Sequence, residues 1–333
     1  MKALKKLSKI SILLLFILVL AGCGYSKETD NRENVLDMVI AGGSPEGSLQ
    51  MVLTGISECL HKTEPDAKIT IVPGSGTANL YRINNNEVDM GATHNIAAYS
   101  AVKGEGIFVE PLDNITAIAS LYPSTLQIAA NKELGIISFD QIIDEKLKIK
   151  ISIDQSGSTS AETFKRLLAE YGVNEKEFTE WGGEIVYKNM SDSAYMLADG
   201  RIDVMSLSTL FPAPTILEMQ TNKDLVLLEI NQDVLNRMTE KYHYNITVIP
   251  NGTYNFLDHD LPSLSTNTII AVPKNMPEAA AYEVTRSIGE NVDYLHDVHA
   301  ALKGLTISRM ASDVGIPLHP GAEKYYREQG IFQ

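Results

Sequence analysis

At 333 residues, with 44% hydrophobic and 21% charged side chains, the chain can bury a substantial core, and its composition excludes a disordered or multi-span protein. Its formal charge of −14 and pI of about 5.0 leave no basic footprint outside the first residues, which excludes a nucleic-acid binder.

The first residues form a segment apart. Lys2, Lys5, Lys6 and Lys9 precede an apolar run over 10–20 interrupted by Ser11, and Leu20-Ala21-Gly22-Cys23 follows. A basic segment, a short apolar core and small residues make a secretory signal peptide over 1–22, too short for a comfortable membrane span. The tetrapeptide resembles a bacterial lipobox, so lipid attachment at Cys23 and cleavage before it are expected; an uncleaved anchor is the alternative. Loss of four lysines and no acid would take the charge from −14 to −18. Acyl chains, at about 0.8 kcal/mol per buried CH2, would hold the protein on a membrane surface. Residues 23–34 are polar and read as a tether. Cys59, in a helical pattern over 49–61, then has no disulfide partner and reads as a small buried apolar side chain.

From 37 onward strand and helix patterns alternate. Strands are predicted at 37–41, 68–72 and 88–92, with helices beginning near Glu46, Thr77 and Asn95. This alternation implies right-handed crossovers and a parallel sheet, with ligands bound beyond the carboxyl ends of the strands. Two turns of one construction lie there, AGGSPEGS (41–48) and PGSGTAN (73–79). Runs at 115–121 and 125–131, separated by Tyr122-Pro123-Ser124, read as two further strands, and a second lobe begins here. Ser138 and Gln141 have capping-box spacing.

The third turn of this kind lies in ISIDQSGSTSAETF (151–164). It joins a strand at 148–153 to a helix running to about Tyr171. Each turn taken alone is an ordinary N-cap. Three together suggest an anion seat, because glycine admits a ligand close to the backbone and the helix N-terminus offers free N–H groups and a positive dipole end. A strand at 184–187, a helix at 191–199 and a strand at 202–207 follow. The return leg holds a turn at 251–254, a strand at 268–272, a long amphipathic helix over 277–295 and a short helix through Tyr325 and Tyr326. The expected organisation is lobe 1 over 35–122 plus 249–295, lobe 2 over 123–248, and a C-terminal helical segment over 296–333 packing on both.

These residues, in this order and spacing, resemble the TAXI family of solute receptors, the TRAP-associated extracytoplasmic immunogenic proteins. The likeness runs from about Met38 to Tyr326. It rests on Gly42-Gly43-Ser44-Pro45, Val72-Pro73-Gly74-Ser75-Gly76 with Asn79-Leu80, Val88-Asp89-Met90-Gly91 and Ala119-Ser120-Leu121-Tyr122-Pro123. It continues through Gly157-Ser158-Thr159, Asp199-Gly200-Arg201-Ile202-Asp203, Pro250-Asn251-Gly252-Thr253-Tyr254 and Pro317-Leu318-His319-Pro320-Gly321-Ala322. The resemblance implies an α/β fold like type II periplasmic binding proteins: two α/β lobes, a hinge and a ligand cleft. It also implies a non-enzymatic, monomeric receptor without a cofactor, outside the cytoplasm. Such a receptor would deliver a small organic acid or amino acid, glutamate-like or dicarboxylate-like, to a TRAP permease in the membrane.

The candidate ligand contacts are Ser44 and Ser48 from the first turn, Ser75 and Asn79 from the second, and Ser156, Gly157, Ser158 and Thr159 from the third. His94, Asn95, Tyr122 and Thr209 complete the set. Asn79 has an equal structural reading as a residue bonding its own turn, and Tyr122 could simply pack beside Pro123. A carboxylate gains about 0.3–1 kcal/mol at a helix N-terminus, up to about 2 when partly buried. Charge-assisted hydrogen bonds add roughly 1.5–3 kcal/mol each, and micromolar affinity needs about 8. Two or three such seats therefore suffice without a dedicated arginine.

The chain departs from the family pattern at three places. His94-Asn95-Ile96 stands where a Gln-Ser-Asp type sequence is usual, which makes His94 a candidate source of pH dependence. Glu46 replaces a glycine, and Leu210 a small residue. Two rival functions remain: a ligand-sensing or surface-interaction lipoprotein, and an enzyme on a binding-protein fold. His296 with His299, and Asp258-His259-Asp260, could hold a cation, yet no full ligand set can be named. No catalytic or metal residue is assigned.

Overall fold

The computed structural model describes residues 36–43 and 47–332. The signal peptide, Cys23, the tether and Ser44 lie outside the described residues, as does the predicted helix start at Glu46. Strands β1 (Asp37–Ala41), β2 (Lys68–Val72) and β3 (Met90–His94) alternate with helices α1 (Ser48–Thr63), α2 (Gly76–Asn84) and α3 (Asn95–Lys103). The long strand β4 (Ile115–Asn131) follows, then α4 (Phe139–Asp144), β5 (Lys150–Ser152), α5 (Thr159–Glu170), α6 (Glu175–Glu180), β6 (Glu184–Val186), α7 (Met190–Ala198) and β7 (Val204–Thr209). The return leg carries α8 (Pro214–Met219), β8 (Leu225–Leu227), α9 (Gln232–Tyr242), β9 (Asn245–Ile249) and the long β10 (Leu261–Pro273). Helices α10 (Glu278–Glu290), α11 (Val292–Val298), α12 (Ile307–Met310) and α13 (Pro320–Glu328) close the chain.

The sheet runs β2-β1-β3-β10-β4-β7-β5-β6, with β8 beside β4 and β9 beside β10. Its two ends are parallel, as the alternating pattern requires, but its centre is not. β10 is antiparallel to both β3 and β4, and β4 is antiparallel to β7. The sheet is therefore mixed, because two long strands pass through both halves and return in opposite directions. β4 carries no charged side chain and is buried at nearly every position, so both of its faces can be covered.

Burial follows the strand period of two. Ile40, Ile118, Ile270 and Val272 join one cluster with α1, α10 and the last helix, while Ala41, Ala117, Ile269 and Ala271 join another with α2 and α3. In the second half Ile128, Ala130 and Val204 belong to one cluster and Ala129, Met205 and Leu207 to the other. The segment after 296 sends Leu302, Leu305, Met310, Tyr325 and Tyr326 into the first half's core, and the Tyr326 hydroxyl donates to Ile118 O at 2.6 Å. Cys59 is fully buried in α1, as read from the sequence.

Two local expectations change. The runs at 115–121 and 125–131 form one strand, because Pro123 needs no ladder on its far side: β7 pairs with β4 only from Thr125. The helix expected over 277–295 breaks at Asn291, whose side chain donates to Ser287 O at 2.9 Å. The capping box at Ser138 and Gln141 is formed.

Candidate functional site

The glycine–serine turns meet. The first is held to β2 by Gly42 N donating to Val72 O at 2.8 Å, and the second to the first by Gly74 N donating to Gly43 O at 3.2 Å. Behind both, the Asn79 amide nitrogen lies 2.8–3.2 Å from the carbonyls of Ala41, Gly42 and Ala92. Asn79 thus spends its donors on the backbone of two strands and lies outside the cavity lining. It shapes the seat without facing it, reaching farther than a residue that bonds its own turn.

A cavity of about 80 Å3 opens where these turns face α5. At about 30 Å3 per water that corresponds to roughly three water molecules, or one small organic molecule in their place. Gly47 and Ser48 bring the N-terminus of α1, Ser75 and Gly76 that of α2, and Ser158 and Thr159 that of α5. Ser75 and Ser158 are genuine caps, accepting from Ala78 N at 3.4 Å and Ala161 N at 3.0 Å. Both residues line the cavity. Three helix N-termini, two from one half of the sheet and one from the other, converge on one small space.

His94, at the end of β3, and Tyr122, in β4, complete the predicted lining. Other predicted residues fall elsewhere. Ser156 and Gly157 are exposed and do not line the cavity, since the chain swings outward before Ser158. The Asn95 side chain accepts from Ile96 N and Asn267 N, and it borders a separate groove with Tyr99 and Tyr242. Thr209 sits behind the lining and shares a 2.8 Å hydrogen bond with Ser48, which ties the end of β7 to the start of α1.

Several lining residues have no counterpart in the sequence reading. Ser124 follows Tyr122 by two and so shares its face of β4, a signal the strand period offers. Ser160 accepts from Ser208 N at 2.8 Å, and both line the cavity. Asp154, in the left-handed region at φ 74°, begins the third turn and also faces in. An acid four residues before the cap in ISIDQSGSTS was visible, but its inward placement depends on that backbone conformation.

The polar atoms facing this space are incompletely satisfied. His94 Nδ1, Tyr122 OH, Thr159 Oγ1 and Ser208 Oγ are buried and have no hydrogen-bond partner among the described residues. Burial lowers the His94 pKa from 6.5 to about 4, so its ring is neutral at pH 7. Burial raises the Tyr122 pKa, opposed by the nearby hydroxyls of Thr268 and Ser48, neither of which is placed to bond it. Burial also raises the Asp154 pKa, with the Gln155 backbone and the Ser158 hydroxyl pulling the other way. No lysine or arginine lines the cavity among the described residues.

His296 and His299 hold no cation site between them. The first bonds Leu305 O at 2.9 Å, and Nδ1 of the second accepts from Ala301 N. Among the described residues no three His, Cys, Asp or Glu side chains could hold a metal, and no helix is long and apolar enough to cross a membrane.

A curled mixed sheet with helices on its faces and a small polar cavity between its halves defines a type II periplasmic-binding-protein-like fold. Solved structures agree. MatC from Rhodopseudomonas palustris, solved with bound malate, is similar with a TM-score of 0.58 at 13% identity, covering 89% of this chain and 98% of its own. The periplasmic binding protein BugD has a TM-score of 0.57 at 13% identity, covering 89% and 93%. PhnD1 from Prochlorococcus marinus, in complex with methylphosphonate, has a TM-score of 0.54 at 14% identity, covering 90% and 99%. The model of the NMT1-like family matches residues 40–330, and the chain belongs to that family.

Proposed function

We propose that the protein is a solute receptor that captures a small organic acid or amino acid between the halves of its sheet and delivers it to a membrane permease. The observation that carries this reading is the cavity itself. Buried polar groups are normally hydrogen-bonded, yet four unpartnered ones, drawn from both halves, face a space the size of a small solute. The converging helix ends favour a carboxylate. The bound malate and methylphosphonate of the structural neighbours are small anions, in keeping with such a ligand.

The finer proposal is a TAXI receptor of a TRAP transporter, anchored through a lipid on Cys23 at the outer face of the membrane and working as a monomer. The family-like turns support it, since Gly43 of the first, Gly74, Ser75 and Gly76 of the second and Ser158 and Thr159 of the third all line the cavity. β4 and β10 would bend to open and close the halves. A thermal-shift screen against amino acids, dicarboxylates and 2-oxoacids tests the receptor reading. A ligand at 100 times its Kd adds about 2.7 kcal/mol to stability, so one class of solute should raise Tm by several degrees. No shift with any solute, in protein stripped of carried-over ligand, would remove the basis for a receptor.

A further inference from the structure

We infer that Asp154 recognises a protonated amine, so that the ligand is an amino acid held as a zwitterion rather than a dicarboxylate or a 2-oxoacid. The inference rests on the receptor reading and narrows it. Asp154 is the one lining residue with a formal charge at pH 7 among the described residues, and it forms no ion pair with any of them. His94 across the space is neutral. The three residues between 43 and 47 are Ser44, Pro45 and Glu46, which bring no cation. A dianion would therefore meet an uncompensated carboxylate.

Buried atoms of residues that line the same cavity as Asp154 point to a bound molecule. His94, Tyr122 and Thr159 are 6%, 1% and 5% exposed, and their Nδ1, OH and Oγ1 lack partners among the described residues. Asp154 lies on the second half, just before α5, while the N-termini of α1 and α2 lie on the first. Its charge offsets the positive end of α5 and leaves the other two ends for a carboxylate. The cavity is thus polarised, with a cation seat at Asp154 and an anion seat at Gly47–Ser48 and Ser75–Gly76. An α-amino acid presents both charges at that scale.

Calorimetric titration of the full chain decides the matter, using amino acids each paired with the 2-oxoacid of the same skeleton, together with succinate and malate. The expected result is one amino acid bound roughly 100-fold more tightly than its 2-oxoacid, because a site built around a polar group rejects the analogue lacking it. In Asp154→Asn, which preserves shape and tolerates the left-handed backbone, affinity for that amino acid should fall at least tenfold while the 2-oxoacid binds equally or better. Equal or tighter binding of a 2-oxoacid or dicarboxylate by the wild type overturns the inference and leaves the receptor intact. So does an Asp154→Asn variant that weakens both members of a pair alike. The wild-type pair alone decides if the variant does not fold, and binding of nothing in either series overturns the receptor as well.

Discussion

His94 is buried at the mouth of α3 with one ring nitrogen unpartnered, and that burial holds its folded pKa near 4. In the unfolded chain its pKa is about 6.5. Between these values the unfolded state binds a proton that the folded state refuses, so stability is full above pH 6.5 and falls as pH drops toward 4. At about 1.36 kcal/mol per pKa unit, the loss approaches roughly 3 kcal/mol. Urea titrations at pH 7 and pH 4 should show this loss in the wild type and a smaller one in His94→Gln. The same displacement makes His94 a poor pH sensor for the ligand near neutrality, against the expectation drawn from its place in the sequence. Asp154 works in the opposite sense. Its folded pKa is raised by burial, so its charge opposes folding at pH 7 and ceases to do so as pH falls through that raised value. Asp154→Asn should therefore raise the Tm of the ligand-free protein at pH 7 while weakening the ligand, a trade common at functional sites; a lowered Tm would show that the carboxylate mainly supports its own turn. At this scale the sequence was legible where the chemistry is local. Ser75 and Ser158 cap the helices their spacing announced. Asn79 was not legible, because its partners at Ala41 and Gly42 lie nearly forty residues earlier in the chain.

Among the elements, the start of α2 shows how closely the two halves approach. A Cβ on Gly76 would lie 3.0 Å from Thr159 Oγ1 and 3.1 Å from His94 Nδ1. At this first helical position a Cβ would have to push buried Thr159 and His94 back by a few tenths of an ångström, so Gly76→Ala should lower ligand affinity about tenfold or more by filling the space. Unaltered affinity would place the ligand away from the α2 end. The alternating pattern from 37 to 103 announced β1 to β3 and α1 to α3 well, since each helix carries an apolar face of ordinary period. The long strands were cut short for a physical reason. Pro123 and the serines and threonines around it look like a break, yet they sit where β4 has a strand on one side only and where the hydroxyls line a polar seam. Register shifts between Thr268 and Ile269, and between Ile270 and Ala271, bend β10 beside the same seam. No local rule marks a strand of 17 residues shared by both halves.

Across the whole molecule, the cavity exists because two strands cross from one half of the sheet to the other and bring α1, α2 and α5 nose to nose. The alternation of elements gave the fold class, and the glycine–serine turns gave the side on which a ligand would sit. Ser160 and Ser208 reach the cavity lining only through the crossing, which sequence spacing does not encode. Ser48 and Thr209 join the halves by one hydrogen bond at the rim. The central claim is that one solute is held by both halves at once. The measurement that reaches it most directly is a calorimetric titration of that solute into the wild type, Tyr122→Phe and Thr159→Val. Each variant removes a buried hydroxyl that has no hydrogen-bond partner among the described residues, so folding should change little, while the loss of one ligand hydrogen bond should weaken binding about 5- to 10-fold in each case. Wild-type affinity in both variants would contradict the account and move the ligand out of this cavity.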